Sequence, residues 1–418
     1  MAYQWTKTDA AAPERVLLIG LDCGDYDAEA SMAELERLTD TAGGLVVGHT
    51  VQKRPAPEGA TYIGSGLVES LAEFCRQNEV DLTVADGSLT PVQARNLERA
   101  LGTAVIDRTA LILDIFAARA RSSEGKLQVE LAQLKYIYPR LKGKGEALSR
   151  LGGGVGTRGP GETQLETDRR YIRGRLSYLE ARLKETEKRR SLQTVRRKKN
   201  SVKTIALVGY TNTGKSTLMN LLTGANVYVK NELFATLDPT ARTFSIDDVE
   251  FLLVDTVGFL QDLPHNLIEA FKSTLESALN CDLALIVCDA AGEYETQLKT
   301  TLDTLGEMNF SAPYLVVMNK SEQIKDPSVF PYGSVAISAK ENLGIDTLKR
   351  EIMKRFSEEF LFCDLFVPYE KLAEYGKVKS LLTERNIEFT DDGQKIDAVI
   401  PSMYADKFTS YITQRNHL

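Results

Sequence analysis

The sequence has few of the residues that build disulfide frameworks or zinc sites. Its 418 residues include five cysteines and three histidines, and no two cysteines form a C-x-x-C pair. Disulfide-rich secreted domains and zinc modules depend on such clusters, so the composition argues against both classes. The chain also lacks any run of about 18 apolar residues, and its amino terminus lacks the apolar stretch of a secretory signal. These absences predict a cytoplasmic protein without a membrane span.

A net charge of −7 conceals an uneven distribution of charge along the chain. Residues 140–203 contain 19 Lys and Arg but only seven Asp and Glu, which gives this segment +12 and leaves −19 for the rest. A basic segment in an otherwise acidic protein predicts contact with a polyanion. The alternative is that the basic residues form a solvated helical face without a partner, and charge alone does not distinguish between these two interpretations.

Strand-like and helix-like segments alternate in residues 1–108, which predicts a small parallel α/β domain at the amino terminus. The whole chain is too long for a single core. Within the first domain, Tyr62-Ile-Gly-Ser-Gly66 precedes a helical segment. Free N–H groups at a helix start attract phosphate, but the motif is short, so an ordinary strand-to-helix turn is the favoured interpretation.

Residues 109–200 are predicted to form a basic helical hairpin, with long antiparallel helices over 109–138 and 167–199. Each helix has apolar residues at the four-three-four spacing of a narrow coiled-coil seam. The seam residues are Leu127, Leu131, Leu134 and Tyr138 in the first helix and Ile172, Leu176, Leu179 and Leu183 in the second. The loop 152–161 between them contains six glycines together with Arg158. Because a passive linker has no need of charged groups, this loop is predicted to make a specific contact.

Residues 201–356 alternate between strands and helices again, which predicts a doubly wound domain with its ligand at the carboxyl ends of the strands. Gly209 to Ser216 match G-x-x-x-x-G-K-S after an apolar strand and before a helix. In such a loop the backbone N–H groups surround phosphate oxygens, Lys215 reaches the β- and γ-phosphates, and the Ser216 hydroxyl binds Mg²⁺. The predicted phosphate site comprises Gly209, Tyr210, Thr211, Asn212, Thr213, Gly214, Lys215, Ser216 and Thr217.

Motifs at three later strand ends decide which nucleotide is expected. Asp255 can join the Mg²⁺ shell, and the N–H of Gly258 can meet the γ-phosphate. A carboxylate at Glu322 can accept from the guanine N1–H and amino group together, whereas adenine would leave it unpaired. Glu322 stands where guanine-binding proteins usually have Asp. The residues predicted at these strand ends are Asp255, Thr256, Val257, Gly258, Asn319, Lys320, Glu322, Ser338, Ala339 and Lys340.

A further segment, Phe234-Ala-Thr-Leu-Asp-Pro-Thr240, lies where the first switch of a GTPase belongs. Together with the Gly209–Ser216 and Asp255–Gly258 motifs, it resembles the HflX family of GTPases. The resemblance extends to Gly156–Glu166 in the Gly-rich loop and to Tyr62–Gly66, and it covers about residues 14–356.

The resemblance implies GTP as substrate and Mg²⁺ as cofactor, with Lys215, Thr236 and Gly258 acting in hydrolysis. Thr236 would bind Mg²⁺ together with Ser216 and sense the γ-phosphate, and Thr240 is a rival for that role. The remaining switch residues implied at the site are Phe234, Ala235, Leu237 and Asp238. Because Phe259 stands where many GTPases use glutamine to orient water, we expect slow hydrolysis by the isolated protein. Asn212 resembles an asparagine that helps bind K⁺ in related GTPases, which adds K⁺ as a further cofactor.

The implied partner is the ribosome, mainly the large subunit and its RNA. The implied role is to split or rescue stalled or idle ribosomes under stress, and the protein is expected to be monomeric. Two alternatives remain open at this point. One is a ribosome-assembly GTPase, and the other is a protein-binding switch without an RNA partner, in which the hairpin is a dimer seam. Residues 357–418 are predicted to form a small α+β domain, with helices over 370–385 and 402–414.

Overall fold

A computed structural model describes residues 12–24, 26–141, 160–199, 202–224, 233–234, 240–259, 280–324 and 330–416. The chain forms two compact units. The first comprises Met1–Arg190 with the segments Lys230–Asp238 and Val257–Glu276, and the second comprises Ser191–Val229, Pro239–Thr256 and Ser277–Leu418.

The first unit contains a four-stranded parallel sheet in the order β2-β1-β3-β4. Its strands are β1 Arg15–Asp22, β2 Leu45–Lys53, β3 Leu82–Ala85 and β4 Ala104–Asp107, and the connecting helices are α1 Ala28–Ala42, α2 Ser65–Gln77 and α3 Pro91–Leu101. Consecutive residues from Val16 to Ile19 are all buried, because helices cover both faces of a parallel sheet. The predicted amino-terminal α/β domain is thereby confirmed.

In the described part of the chain up to residue 199, the next helices are α4 Arg108–Arg119, α5 Ser123–Arg140 and α6 Pro160–Lys199. The prediction of one continuous helix over 109–138 was wrong. Ala120 leaves the helical conformation, and the Ser122 hydroxyl accepts from the Gly125 N–H at 2.8 Å to start a new helix. A serine in this position satisfies an N–H group that the first turn cannot pair, so the chain turns between α4 and α5.

Helices α5 and α6 pair with each other, in agreement with the predicted hairpin. Arg175 of α6 makes two hydrogen bonds to the Glu130 carboxylate, at 2.6 and 2.8 Å, and Leu179 of the predicted seam is completely buried. The second helix begins at Pro160, earlier than predicted. Residues 152–159 of the Gly-rich loop lie outside the described residues.

The second unit contains a six-stranded sheet in the order β10-β9-β8-β5-β7-β6. The strands are β5 Lys203–Val208, β6 Thr240–Ile246, β7 Val249–Asp255, β8 Leu283–Asp289, β9 Tyr314–Asn319 and β10 Val335–Ala336, and the helices are α7 Lys215–Thr223, α8 Tyr294–Glu307 and α9 Ile345–Arg355. This confirms the predicted doubly wound domain. Strand β6 was not predicted, and it pairs antiparallel with β7 through a tight turn at Asp247 and Asp248. The alternating pattern also predicts a helix over 266–279, a segment that lies outside the described residues.

A four-stranded antiparallel sheet completes the second unit, in the order β12-β13-β11-β14. Its elements are β11 Phe360–Pro368, α10 Leu372–Val378, β12 Thr383–Phe389, β13 Gly393–Pro401 and β14 Ile412–Asn416. The helix predicted over 370–385 is shorter than expected, and the one predicted over 402–414 is replaced by a 3₁₀ turn and β14. The end of the first segment pairs with the neighbouring β13 and the end of the second pairs with the distant β11, so in both places strand pairing overrides the local helical pattern.

Among the described residues, no helix combines the length and the apolar character needed to cross a bilayer.

Candidate nucleotide-binding site

The phosphate loop runs from β5 into α7 through two positions that require glycine. A Cβ on Gly209 would lie 2.3 Å from the carbonyl oxygen of Val287, and a Cβ on Gly214 would lie 2.2 Å from Nδ2 of Asn319. Both glycines have positive φ, +144° and +91°, which L side chains rarely adopt. The loop therefore keeps the backbone conformation in which successive N–H groups can surround an anion.

Lys215, the first residue of α7, is buried beneath this loop. Its Nζ donates to the carbonyl oxygens of Gly209 and Tyr210, at 3.0 and 2.6 Å. Burial lowers the pKa of Lys215 to about 8, although the charges of Asp255 and Cys288 act in the opposite direction. The ammonium group is thus positioned inside the loop by carbonyl groups, where it can meet the phosphates of a nucleotide.

Two side chains with oxygen atoms suited to a divalent cation meet at the same edge of the sheet. Ser216 donates its hydroxyl proton to Oδ2 of Asp255 at 2.7 Å, and Asp255 ends β7 almost completely buried. Hydroxyl and carboxylate oxygens are the ligands that Mg²⁺ prefers, and Mg²⁺ at phosphate sites uses few protein groups. This donor set fits Mg²⁺. Thr236, the other predicted ligand, lies outside the described residues. Among the described residues, no group of three or more His, Cys, Asp or Glu side chains is arranged to hold a metal ion.

Asn319 connects the phosphate loop with the loop that follows β10. Its Nδ2 donates to the Thr213 carbonyl at 2.8 Å, and its Oδ1 accepts from the Ala339 N–H at 2.9 Å. The next residue, Lys320, has a positive φ of 63° and forms an ion pair with Asp289 at 2.6 Å. Three motifs that are far apart in the sequence are therefore brought together at one edge of the sheet.

Glu322 is exposed at the edge of this region. Burial has the largest single influence and raises the pKa of its carboxyl group. The hydrogen bond from Ser338, those from its own backbone and Gln323, and the charge of Lys340 together hold the pKa below its usual range. The carboxylate is therefore ionised at neutral pH and can only accept hydrogen bonds. Ser338 is itself fixed, since it is fully buried and its hydroxyl accepts from the Glu341 N–H at 3.0 Å.

The residues after Asp255 are also held in place. Thr256 donates its hydroxyl proton to the Leu207 carbonyl at 2.7 Å, and Val257 and Phe259 are both buried. An apolar, buried side chain therefore occupies the position after Gly258, where many GTPases orient water.

Of the first switch, only part is described. Phe234 is buried with a positive φ of 55°, and its ring packs edge-on against Phe116 of α4 at a centroid distance of 4.5 Å. Thr240 is exposed at the start of β6. Ala235, Thr236, Leu237 and Asp238 lie outside the described residues, so the choice between Thr236 and Thr240 stays a prediction.

Sequence reasoning missed the pairing of Asp289 with Lys320. Asp289 ends β8 beside the phosphate loop, and the rule that ligands bind beyond the carboxyl ends of parallel strands could have identified it. Thr211 has its hydroxyl oxygen buried without a hydrogen-bond partner among the described residues, so it is a further polar group of the phosphate loop whose pairing is incomplete. Thr217 continues α7 and is half-buried.

Comparisons with known proteins identify GTPase families over most of the chain. Residues 29–117 match the family described as GTP-binding GTPase N-terminal, residues 119–197 match the GTP-binding GTPase Middle Region, and residues 204–320 match the 50S ribosome-binding GTPase family.

Several curated relatives carry the name GTPase HflX. The relative from Caldanaerobacter subterraneus subsp. tengcongensis is 45% identical over 405 residues, which cover 96% of this chain and 94% of that protein. The relative from Alkalihalophilus pseudofirmus is 50% identical over 318 residues, 75% of each protein. The Escherichia coli relative is 43% identical over 366 residues, 85% of each protein. The resemblance predicted from the motifs is confirmed: the chain belongs to the HflX family of GTPases and is a GTP-hydrolysing enzyme.

Proposed function

We propose that this GTPase binds the ribosome, chiefly the large subunit and its RNA, and uses GTP binding and hydrolysis to split or rescue stalled or idle ribosomes under stress. The match of residues 204–320 to a family described as 50S ribosome-binding supports the partner. A ribosomal partner also supports the predicted cytoplasmic location. The predicted monomeric state and the division into domains at 1–108, 109–200, 201–356 and 357–418 belong to the same proposal.

The observation that carries the RNA contact is the charge on α6. Its sequence contains 13 Lys and Arg but only six Asp and Glu, whereas the whole protein is acidic. Among its described side chains, Arg170, Arg173 and Lys184 are exposed, while the seam residue Leu179 is buried against the same chain. Because the apolar seam is used within the chain, a dimer seam is the weaker explanation, and the exposed cations are available to phosphates.

In this proposal the phosphate loop and Lys215 hold the nucleotide, and Ser216 and Asp255 hold Mg²⁺. When bound, Mg²⁺ neutralises charge on the β- and γ-phosphate oxygens. Thr236 and Gly258 would sense the γ-phosphate, so loss of that group on hydrolysis releases both switches and lowers affinity for the ribosome. Glu322 selects guanine.

Slow intrinsic turnover is part of the proposal. Phe259 is only 1% exposed, and an apolar side chain cannot accept a proton from water or orient it. Large subunits should therefore accelerate hydrolysis by supplying or ordering the missing group.

Cosedimentation with purified large subunits tests the partner. We expect binding in the presence of a non-hydrolysable GTP analogue, weaker binding with GDP, and a steep fall of affinity with salt, because phosphate contacts release counterions. Exchanging Arg169, Arg170 and Arg173 for Glu should weaken binding and flatten the salt dependence. The same exchange at Lys371, Lys377 and Lys407, which are exposed in the carboxyl-terminal domain, changes the net charge equally and should leave binding near wild type.

Equal effects of the two triple exchanges would show that the contact depends on net charge alone and would contradict an RNA-binding α6. Ribosome splitting is measured separately, by the conversion of intact ribosomes into subunits in the presence of GTP. If depletion of the protein in cells instead accumulates immature large particles while mature ribosomes are unaffected, the assembly alternative is correct.

A further inference from the structure

Two tyrosines of α6 are exposed on the same side of the helix. Tyr171 is 72% exposed and Tyr178 is 51% exposed. Residues seven positions apart are two turns apart and lie on one face of a helix, about 10.5 Å along its axis. The buried residue Leu179 lies on a different side of α6, about 80° around the helix from Tyr171, so packing within the hairpin covers Leu179 but leaves both tyrosines exposed. We name Tyr171, Gly174 and Tyr178 the tyrosine face.

Gly174 lies between the two rings, and packing does not require it. A Cβ built on Gly174 would meet no atom within 4 Å, and its backbone has no positive φ. Glycine inside a helix lowers helix stability relative to alanine. Because neither a close neighbour nor a special backbone conformation explains this glycine, its effect is to leave an open notch between the tyrosine rings.

A fixed arginine adjoins the notch. The guanidinium of Arg175 is held by both oxygens of Glu130, and its central carbon lies 5.2 Å from the centroid of the Tyr178 ring. Arg182, one turn beyond Tyr178 on the same side of α6, is exposed, whereas Arg173 lies on another side and donates to the Tyr138 hydroxyl of α5 at 2.9 Å. The tyrosine face therefore combines aromatic rings with surrounding positive charge, which complements a flexible polyanion that carries flat apolar groups.

We infer that the tyrosine face is a stacking platform for unpaired nucleobases of single-stranded RNA. This inference rests on the proposed function, since ribosomal RNA would supply the strand. Proteins bind single strands by stacking bases on aromatic side chains while basic groups follow the backbone. A duplex cannot use the platform in this way, because its bases are already stacked on one another and only its phosphates and groove edges are accessible.

Tryptophan reporters measure stacking directly, because the chain has a single tryptophan, Trp5. In a Trp5→Phe background, Tyr171→Trp and Tyr178→Trp each place one indole in the tyrosine face. Titration with a short oligouridine should quench the fluorescence of both reporters, whereas the same strand paired with oligoadenylate should not. Equal quenching by the duplex would overturn the inference.

Variants of the platform separate stacking from charge. The double change Tyr171→Ala with Tyr178→Ala should weaken oligouridine binding by about tenfold or more, whereas the paired changes to Phe should retain binding because the rings remain. Gly174→Leu should fill the notch and weaken binding without loss of thermal stability, since no atom lies close to the new side chain. Unchanged oligouridine affinity in both the alanine and the leucine variants would overturn the inference.

The two proposals fail in different ways. If wild-type protein does not cosediment with large subunits even at low salt, the ribosomal function is wrong, whereas quenching by oligouridine would still support the platform. If cosedimentation is strong and salt-dependent but the reporters are not quenched by oligouridine, the platform is wrong and the ribosomal function stands.

Discussion

Asn319 donates a hydrogen bond to the backbone carbonyl of Thr213 at 2.8 Å, although the two residues are 106 positions apart. Asn319 is buried, and its Oδ1 accepts at the same time from the Ala339 N–H. Formation of the phosphate loop and of the base-binding loops is therefore coupled through one amide side chain.

Asn319→Asp should uncouple these loops, because a carboxylate cannot donate to the Thr213 carbonyl. Leaving a buried acceptor unpaired costs about 1–3 kcal/mol, so the free energy of unfolding should fall by that amount and GTP affinity should fall with it. Urea unfolding and GTP titration measure the two losses. Asn386→Asp makes the same chemical change at an exposed position of β12 and should change neither quantity. A stable Asn319→Asp protein with normal affinity would contradict the coupling.

Ser216→Ala should weaken GTP binding mainly in the presence of Mg²⁺. The hydroxyl lies 2.7 Å from Asp255, and its removal takes away one oxygen ligand without altering the glycines of the loop. Affinity measured with Mg²⁺ and with a chelator should show a large loss in the first condition and a small one in the second. Equal losses in both would exclude Ser216 as a ligand.

Lys215 predicts a specific pH dependence of nucleotide binding. Burial lowers its pKa from 10.5 to about 8 in the nucleotide-free protein, and phosphate oxygens favour the charged amine, so binding raises the pKa again. Below about pH 7 the amine is already charged and affinity should not depend on this group. Above about pH 8 binding must take up a proton, so affinity should fall as pH rises.

Calorimetry in two buffers of different ionisation enthalpy measures this uptake. The uptake should be near zero at about pH 7 and should approach one proton at about pH 9. Subtracting the proton uptake measured for Lys215→Met corrects for protons bound by the nucleotide itself. The control variant Ser216→Ala should retain the proton uptake of the wild type because its Lys215 is intact. Wild-type uptake equal to that of Lys215→Met would show that the amine is charged before binding.

The sequence was sufficient for the elements whose patterns are strong and local. The phosphate loop needs Gly209 and Gly214 for steric reasons that are visible as a motif, and the parallel strands are continuous apolar runs because both of their faces are buried. The break between α4 and α5 was missed because a single cap, Ser122, interrupts an otherwise continuous helical pattern.

Edge strands could not be predicted in the same way. Strands β6 and β14 lie at the edges of their sheets. Most side chains of β6 are exposed, and β14 pairs with β11, which is distant in the sequence. Local propensity is a weak guide at such positions. In the site, the motifs identified Ser216 and Asp255, but their direct contact and the Lys320–Asp289 ion pair depend on which strands become neighbours.

Potassium should stimulate hydrolysis more than sodium if Asn212 contributes to a monovalent cation site. Asn212 has a positive φ of 60° within the phosphate loop, a conformation that asparagine tolerates better than most residues. Asn212→Asp should keep this conformation, and Asn212→Ala should remove the side-chain oxygen. The wild-type protein should therefore hydrolyse GTP faster in K⁺ than in Na⁺, whereas Asn212→Ala should have the same rate in both salts. Equal turnover of the wild-type protein in both salts would contradict the K⁺ site.

Glu322 should determine the preference for guanine over adenine. Burial raises the pKa of its carboxyl group, but hydrogen bonds from Ser338, its own backbone and Gln323 and the charge of Lys340 together lower that pKa below its usual range. The group is therefore an ionised carboxylate, which can accept hydrogen bonds from two guanine N–H groups. Adenine has no N–H at N1 to donate. Glu322→Ala should lower GTP affinity while leaving the weaker ATP affinity nearly unchanged, a loss of selectivity on the order of 10²-fold or more.

Two further variants make the Glu322 test specific. Glu322→Gln keeps the size of the side chain but replaces one acceptor by a donor, so it should lose most of the selectivity, whereas Glu322→Asp keeps the carboxylate and should retain much of it. Glu341→Ala removes a nearby exposed carboxylate and should leave selectivity unchanged. Competition of labelled GTP by unlabelled ATP gives the ratio for each variant. If wild-type protein binds the two nucleotides equally, or if Glu322→Gln discriminates as well as wild type, then recognition of guanine does not depend on this carboxylate.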